Sequence, residues 1–194
     1  MRTTPLPAVP GRWPGTLAAV AAGLIATAAA LTGCTVPRDA VPRCGDAQRL
    51  AIVAQSVPGA SYVSCVNPLP PGWATAAFDP ARGSTRFLLQ SDRAPGRPVQ
   101  VELTARCRLA GASPSPARAD GVRTYTRLTT IRPAYAGTIY DVFPGGCVTY
   151  SFDFESARGQ HIVLMEEWQR AIGLYPRDQL RRQLKEQLGV ELDP

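Results

Sequence analysis

With 194 residues, 45% of them hydrophobic, the chain has the material for one ordinary domain rather than two. Its net charge of +6, from 21 basic against 15 acidic residues, is a mild excess, and Lys185 is the only lysine. With so much Ala, Pro and Gly, that arginine bias reads first as GC-rich coding. Without stacked aromatics or a known module, nucleic acid is not an expected partner.

The first element is a leader. Arg2 and Arg12 precede an uncharged run from Trp13 to Val36. Its core, residues 17–30, holds eight alanines, and only Leu17, Val20, Leu24 and Ile25 are large. The run contains Leu31-Thr32-Gly33-Cys34. A positive n-region, an apolar h-region, small residues and then cysteine form the pattern of a bacterial export signal. The alternative is an uncleaved transmembrane anchor, since about 20 apolar residues span a bilayer. A weakly hydrophobic, Ala-rich core that ends in small residues fits a cleaved signal better. On either reading the arginines stay inside, and everything after residue 34 lies outside the cytoplasm.

Leu31-Thr32-Gly33-Cys34 resembles the lipobox of bacterial lipoproteins, whose cysteine takes a diacylglyceryl group on sulfur before cleavage just ahead of it. The resemblance implies a signal peptide over 1–33, a lipidated Cys34 carrying acyl chains such as palmitate, and a lipid-anchored tether over 34–43. Residues 44–194 then form a single extracytoplasmic α+β domain at the cell membrane. The leader is similar to those of small uncharacterised lipoproteins of high-GC Gram-positive (actinobacterial) bacteria, and Pro144-Gly145-Gly146-Cys147 is in their style too. That group has no activity to lend, so Cys34 is the one functional residue carried over.

Without Arg2 and Arg12 the chain keeps 19 basic against 15 acidic residues, a net of +4. Of five cysteines, Cys34 goes to lipid. Cys44, Cys65, Cys107 and Cys147 remain, an even number in an oxidising compartment, which predicts two disulfides. Three pairings are open. Cys44–Cys65 and Cys107–Cys147 are favoured, because the first brackets a predicted helix and the second joins two predicted strands. A zinc site wants close Cys-x-x-Cys pairs, and the gaps here are 20, 41 and 39 residues, so no metal is expected.

Beyond the tether, with its Pro37 and Pro42, Asp46 can cap a helix to about Val57, with Leu50, Ile52, Val53 and Val57 inward. Pro58-Gly59 ends it. Pro68 to Gly72 form a stiff turn-rich segment before Trp73. Strands are expected at 73–79 and 84–91, around the hairpin loop Asp79 to Gly83. Residues 98–108 alternate strictly, with Val99, Val101, Leu103, Ala105 and Cys107 on one face, which predicts a half-buried strand. Residues 111–121 read as a loop. Further strands fall at about 122–131, 137–143 and 147–155. In the last, Val148, Tyr150, Phe152 and Phe154 share a face that excludes Cys147. This conflicts with a buried Cys107–Cys147 bond unless a bulge at Gly145-Gly146 re-aims the cysteine. Residues 159–172 predict a helix with Ile162, Met165, Trp168 and Ile172 inward. Pro176 opens a last helix to about Leu188, which Gly189 ends. The whole reads as α+β: an antiparallel sheet of about 5–6 strands, one N-terminal helix and two C-terminal helices.

Candidate chemistry is sparse. The one histidine, His161, has no nucleophile motif around it. Asp141, Asp153, Glu155, Glu166 and Glu167 include no pair that spacing can identify as glycosidase carboxylates. Gly145-Gly146 reads as a turn, not as a phosphate cradle. The last helix carries a leucine stripe, Leu180, Leu184 and Leu188, flanked by Arg177, Arg181 and Lys185. Asp178 and Glu186 stand four residues from Arg182. That basic flank can face anionic headgroups or an acidic partner, and Trp73 behind its prolines can present a ring to a ligand. The expectation is therefore a lipid-anchored envelope protein acting as a non-catalytic binding or accessory module, leaning away from an enzyme and without cofactor. Its partners are expected to be the membrane itself, a membrane protein or a cell-wall component. The alternatives are an envelope hydrolase with an unrecognised site and a small-ligand-binding lipoprotein.

Overall fold

A computed structural model describes residues 41–131, 135–154 and 159–192. The expected leader, Cys34 and the expected tether as far as residue 40 lie outside the described residues, as does Glu155.

Chain order is α1 (Ala47–Ser56), β1 (Tyr62–Val66), β2 (Trp73–Ala81), β3 (Ser84–Ser91), β4 (Ala94–Thr104), β5 (Ser113–Ser115), β6 (Arg123–Thr130), β7 (Ala136–Phe143), β8 (Gly146–Asp153), α2 (His161–Ala171), β9 (Ile172–Pro176) and α3 (Arg177–Leu188). The fold is α+β, as expected, with three helices. The sheet is larger than the expected 5–6 strands: seven antiparallel strands in the order β2-β3-β4-β8-β7-β6-β5, with β1 and β9 forming a separate two-stranded ribbon. The additional strands had weak signals. β5 is three residues with Pro114 at its centre. β9 is Ile-Gly-Leu-Tyr-Pro, a segment whose Gly and Pro read as breaks between helices.

The inner face of the sheet follows the period of two. Phe87 and Leu89, Val99, Val101 and Leu103, and Val148, Tyr150 and Phe152 are all buried. Helices cover this face. Trp168 of α2 lies 5.5 Å from the Tyr150 ring and 6.2 Å from Phe152. Asp46 caps α1, its carboxylate accepting from the Arg49 backbone N–H at 3.1 Å. Leu50 and Val53 of α1 and Leu180 and Leu184 of α3 complete the core. In α2 the expected Trp168 and Ile172 are buried and Met165 packs against the core, but Ile162 is 64% exposed. Leu164 and Ala171 instead join Trp168 on the inner face, at spacings of four and three. The leucine stripe of α3 also shortens, for Leu188 is exposed in the last turn.

Both favoured disulfides are present, Cys44–Cys65 with Cα atoms 5.0 Å apart and Cys107–Cys147 at 5.8 Å. The register conflict at Cys147 resolves without a bulge. β7 and β8 pair in unbroken register, with Val142 opposite Cys147, so Cys147 sits on the outer face. β4 ends at Thr104, short of the expected 108, and Ala105 is exposed rather than buried. The chain then crosses the outer face toward β5 at the far edge. Cys107 Sγ lies 3.1 Å from Thr149 Oγ1, and Arg127 Nη1 donates to the Ala110 carbonyl at 3.2 Å. The second disulfide therefore staples a crossover onto the sheet rather than joining two core strands. No helix among the described residues is long and apolar enough to cross a membrane.

Candidate functional site

Charged side chains in the domain are largely committed to its own architecture. Asp141 of β7 has no exposed surface. Its Oδ1 accepts from Thr124 Oγ1 at 2.7 Å, and its Oδ2 from Tyr150 OH at 2.9 Å and Arg118 Nη1 at 3.2 Å. Arg118 also donates to the carbonyls of Gln169 and Ile172 at the end of α2, where unpaired carbonyls need donors. Its guanidinium lies 4.8 Å from the Tyr150 ring centroid. Burial, then the neighbouring Asp141 charge, pushes the Tyr150 hydroxyl well above its ordinary pKa, so it stays a donor. Nothing in the sequence linked Arg118, alone in a Ser/Pro/Ala loop, to Asp141.

Glu167 anchors the other side of α2. Its Oε1 accepts from Arg93 Nη1 at 3.1 Å, and its Oε2 from Trp73 Nε1 at 2.7 Å and from Arg93 Nη2. The Arg93 hydrogen bonds, joined by that from Trp73, hold the Glu167 carboxyl below its ordinary range. Trp73 is consequently 7% exposed. The expectation that it presents its ring to a partner is corrected, since its indole is packed in the core and its N–H is spent on Glu167.

Arg177 is corrected likewise. It is buried, its Nη1 donating to the Ala54 carbonyl at 2.7 Å and its backbone N–H to Ser61 at 2.8 Å. It ties the start of α3 to α1 and β1 and offers no exposed charge. Arg181 is exposed beside it, while Lys185, also exposed, pairs with Glu191 at 3.1 Å. Arg182 pairs with Asp178, whose carboxyl is held low by the Gln179 backbone N–H and then by Arg182. Of the four surface residues expected, only Arg181 and Lys185 stand on an exposed face. His161 stacks on Tyr135 with ring centroids 5.1 Å apart. Among the described residues no three His, Cys, Asp or Glu side chains converge to hold a metal.

The ends of the β1–β9 ribbon carry two concavities. One, at the Tyr62–Pro176 end, is lined by Ser61, Arg177, Asp178 and Arg181; its charges are mixed and Arg177 is spent. The other, of about 350 Å³, lies at the Val66 end, beside the Cys44–Cys65 disulfide. Val41, Val66, Pro68 and Leu69 supply its apolar surface, and Arg43, Asn67 and Thr75 of β2 its polar groups. Short bonds fix its walls. Val66 N–H donates to Pro42 at 2.8 Å, Cys44 N–H to Val66 at 3.0 Å, and Asn67 N–H to Ala171 at 2.8 Å. Gly173 backs the disulfide, since a Cβ there would lie 2.9 Å from Cys44 Sγ. A small apolar cleft with a few polar groups suits binding rather than acid–base chemistry. Sequence reasoning missed it because its walls come from residues 41–44, β1, the proline segment and β2, which only the fold brings together. No known family model, curated protein or solved structure matches the chain.

Proposed function

We propose that this chain is a lipid-anchored cell-envelope protein whose extracytoplasmic domain acts as a non-catalytic binding or accessory module close to the membrane. Leu31-Thr32-Gly33-Cys34, closing an uncharged leader behind Arg2 and Arg12, carries the reading. Export accords with the two disulfides, which form and persist in oxidising compartments. The commitment of Asp141 and Glu167 to arginine, indole and hydroxyl donors supports binding over hydrolysis. The walled cleft at the ribbon end favours a ligand-binding lipoprotein over an envelope hydrolase.

Cys34→Ala and intact-mass spectrometry test the anchor. The wild-type chain should begin at Cys34 and carry acyl mass, and the variant should remain an unprocessed precursor. A mature wild-type chain without acyl mass would refute the proposal.

A further inference from the structure

We infer that the cleft beside the Cys44–Cys65 disulfide binds an anionic phospholipid of the membrane in which the protein is anchored. The inference rests on the lipid-anchor reading and names the ligand for it. Six residues, Thr35 to Ala40, separate Cys34 from Val41, and Val41 lines the cleft. Fully extended, Cα34 to Cα41 spans at most about 25 Å. A domain of about 150 residues has a radius of gyration of about 15 Å, hence a diameter of roughly 40 Å. The anchor can therefore bring the cleft to the bilayer, while the opposite pole lies beyond its reach.

The lining matches an amphiphile. Val41, Val66 and Leu69 line it with methyl groups and Pro68 with a rigid wall, apolar surface on which acyl methylenes leave water. Arg43 at the rim is exposed and suits a phosphate, which guanidinium groups bind through paired N–H donors. The Asn67 side chain is held in place by donating Nδ2–H to the Arg170 carbonyl at 3.2 Å, which leaves its Oδ1 for a glycerol hydroxyl. A volume of about 350 Å³ accommodates part of one lipid, the remainder of its chain staying in the bilayer.

The test uses the full processed chain, purified in detergent and returned to phosphatidylcholine vesicles containing phosphatidylglycerol with a diazirine in one acyl chain. Irradiation and peptide mapping should place adducts on residues 41–44 and 66–69, well above those on the β2–β3 turn at 82–83. Arg43→Gln should lower the cleft adducts about fivefold, the equivalent of about 1 kcal/mol per basic residue near an anionic surface, and Arg123→Gln should not. Adducts absent from the cleft would overturn the inference. So would cleft adducts that Arg43→Gln leaves unchanged, which would reflect proximity alone. Intact mass of the same sample reads the anchor separately. Acyl mass on Cys34 with no cleft adduct overturns the lipid site and leaves the anchor standing. Cleft adducts on a chain without acyl mass overturn the anchor and support the lipid site.

Discussion

Arg118 Nη1 lies 3.2 Å from Oδ2 of the fully buried Asp141, and the same guanidinium donates to the carbonyls of Gln169 and Ile172. One side chain thus neutralises a buried carboxylate and closes the end of α2. Removing one partner of a buried pair leaves an uncompensated charge, at a cost of about 3–5 kcal/mol. Arg118→Met is expected to lose that much in denaturant unfolding. Arg118→Met with Asp141→Leu should recover much of it, because no unpaired charge remains. A double variant as unstable as the single would show that the α2 carbonyls, or the Thr124 and Tyr150 hydroxyls that also donate to Asp141, set the loss rather than the unpaired charge.

Two groups give stability a pH dependence of opposite sign. The Tyr150 pKa is raised above its ordinary 10.0, by burial first and then by the Asp141 charge. Its contribution is complete below pH 10 and is lost as pH rises toward the folded value, since the unfolded chain releases its proton first. The Glu167 pKa is lowered from its ordinary 4.5, chiefly by the Arg93 hydrogen bonds. Its contribution is present above pH 4.5 and is lost as pH falls through the folded value. Thermal midpoints should fall at both extremes. Glu167→Gln should flatten the acid limb alone, and Tyr150→Phe the alkaline limb alone.

The segments legible in the sequence were those governed by local physics. The alternation Val99, Val101, Leu103 placed β4, the phase of Val148, Tyr150, Phe152 and Phe154 placed β8, and Asp46 marked the start of α1. What was illegible depended on contacts distant in sequence. Ile172–Pro176 becomes a strand only because Tyr62–Val66 lies beside it, and Trp73 turns inward because Glu167, 94 residues on, receives its N–H. The same holds for the cleft, whose walls are set by the disulfide and by Asn67 reaching Ala171.

Gly145 shows how tightly the β7–β8 turn meets the α1–β1 loop. Its φ is +70°, and a Cβ would lie 1.6 Å from the Gly59 carbonyl oxygen. Backbone cannot yield as a flexible side chain would, so Gly145→Ala is expected to exceed the roughly 1–2 kcal/mol that a left-handed residue costs by itself. Gly83, with φ +86° and open space for 4 Å around the place a Cβ would take, supplies the comparison: Gly83→Ala should cost only that strain. Equal losses in urea unfolding would contradict the contact between the two loops.

The two disulfides differ in what they hold. Cys107–Cys147 closes a separation of 40 residues and Cys44–Cys65 one of 21. In the chain-entropy model these contribute about 4 and about 3 kcal/mol. Replacing Cys107 and Cys147 together by serine should therefore destabilise the domain slightly more. The local consequences run the other way. Without Cys107–Cys147 the crossover keeps its Arg127–Ala110 bond on the outer face, and the core strands beneath are expected to stay unchanged. Without Cys44–Cys65, residues 42–44 keep to β1 the backbone bonds at Pro42 and Cys44, and the cleft loses one wall. Amide hydrogen exchange separates the two cases. The Cys44→Ser, Cys65→Ser double variant should lose protection first at residues 42–44 and 66–67, with β4 and β8 still protected. Simultaneous loss across the sheet would show that this bond supports the whole core rather than the cleft end of the ribbon.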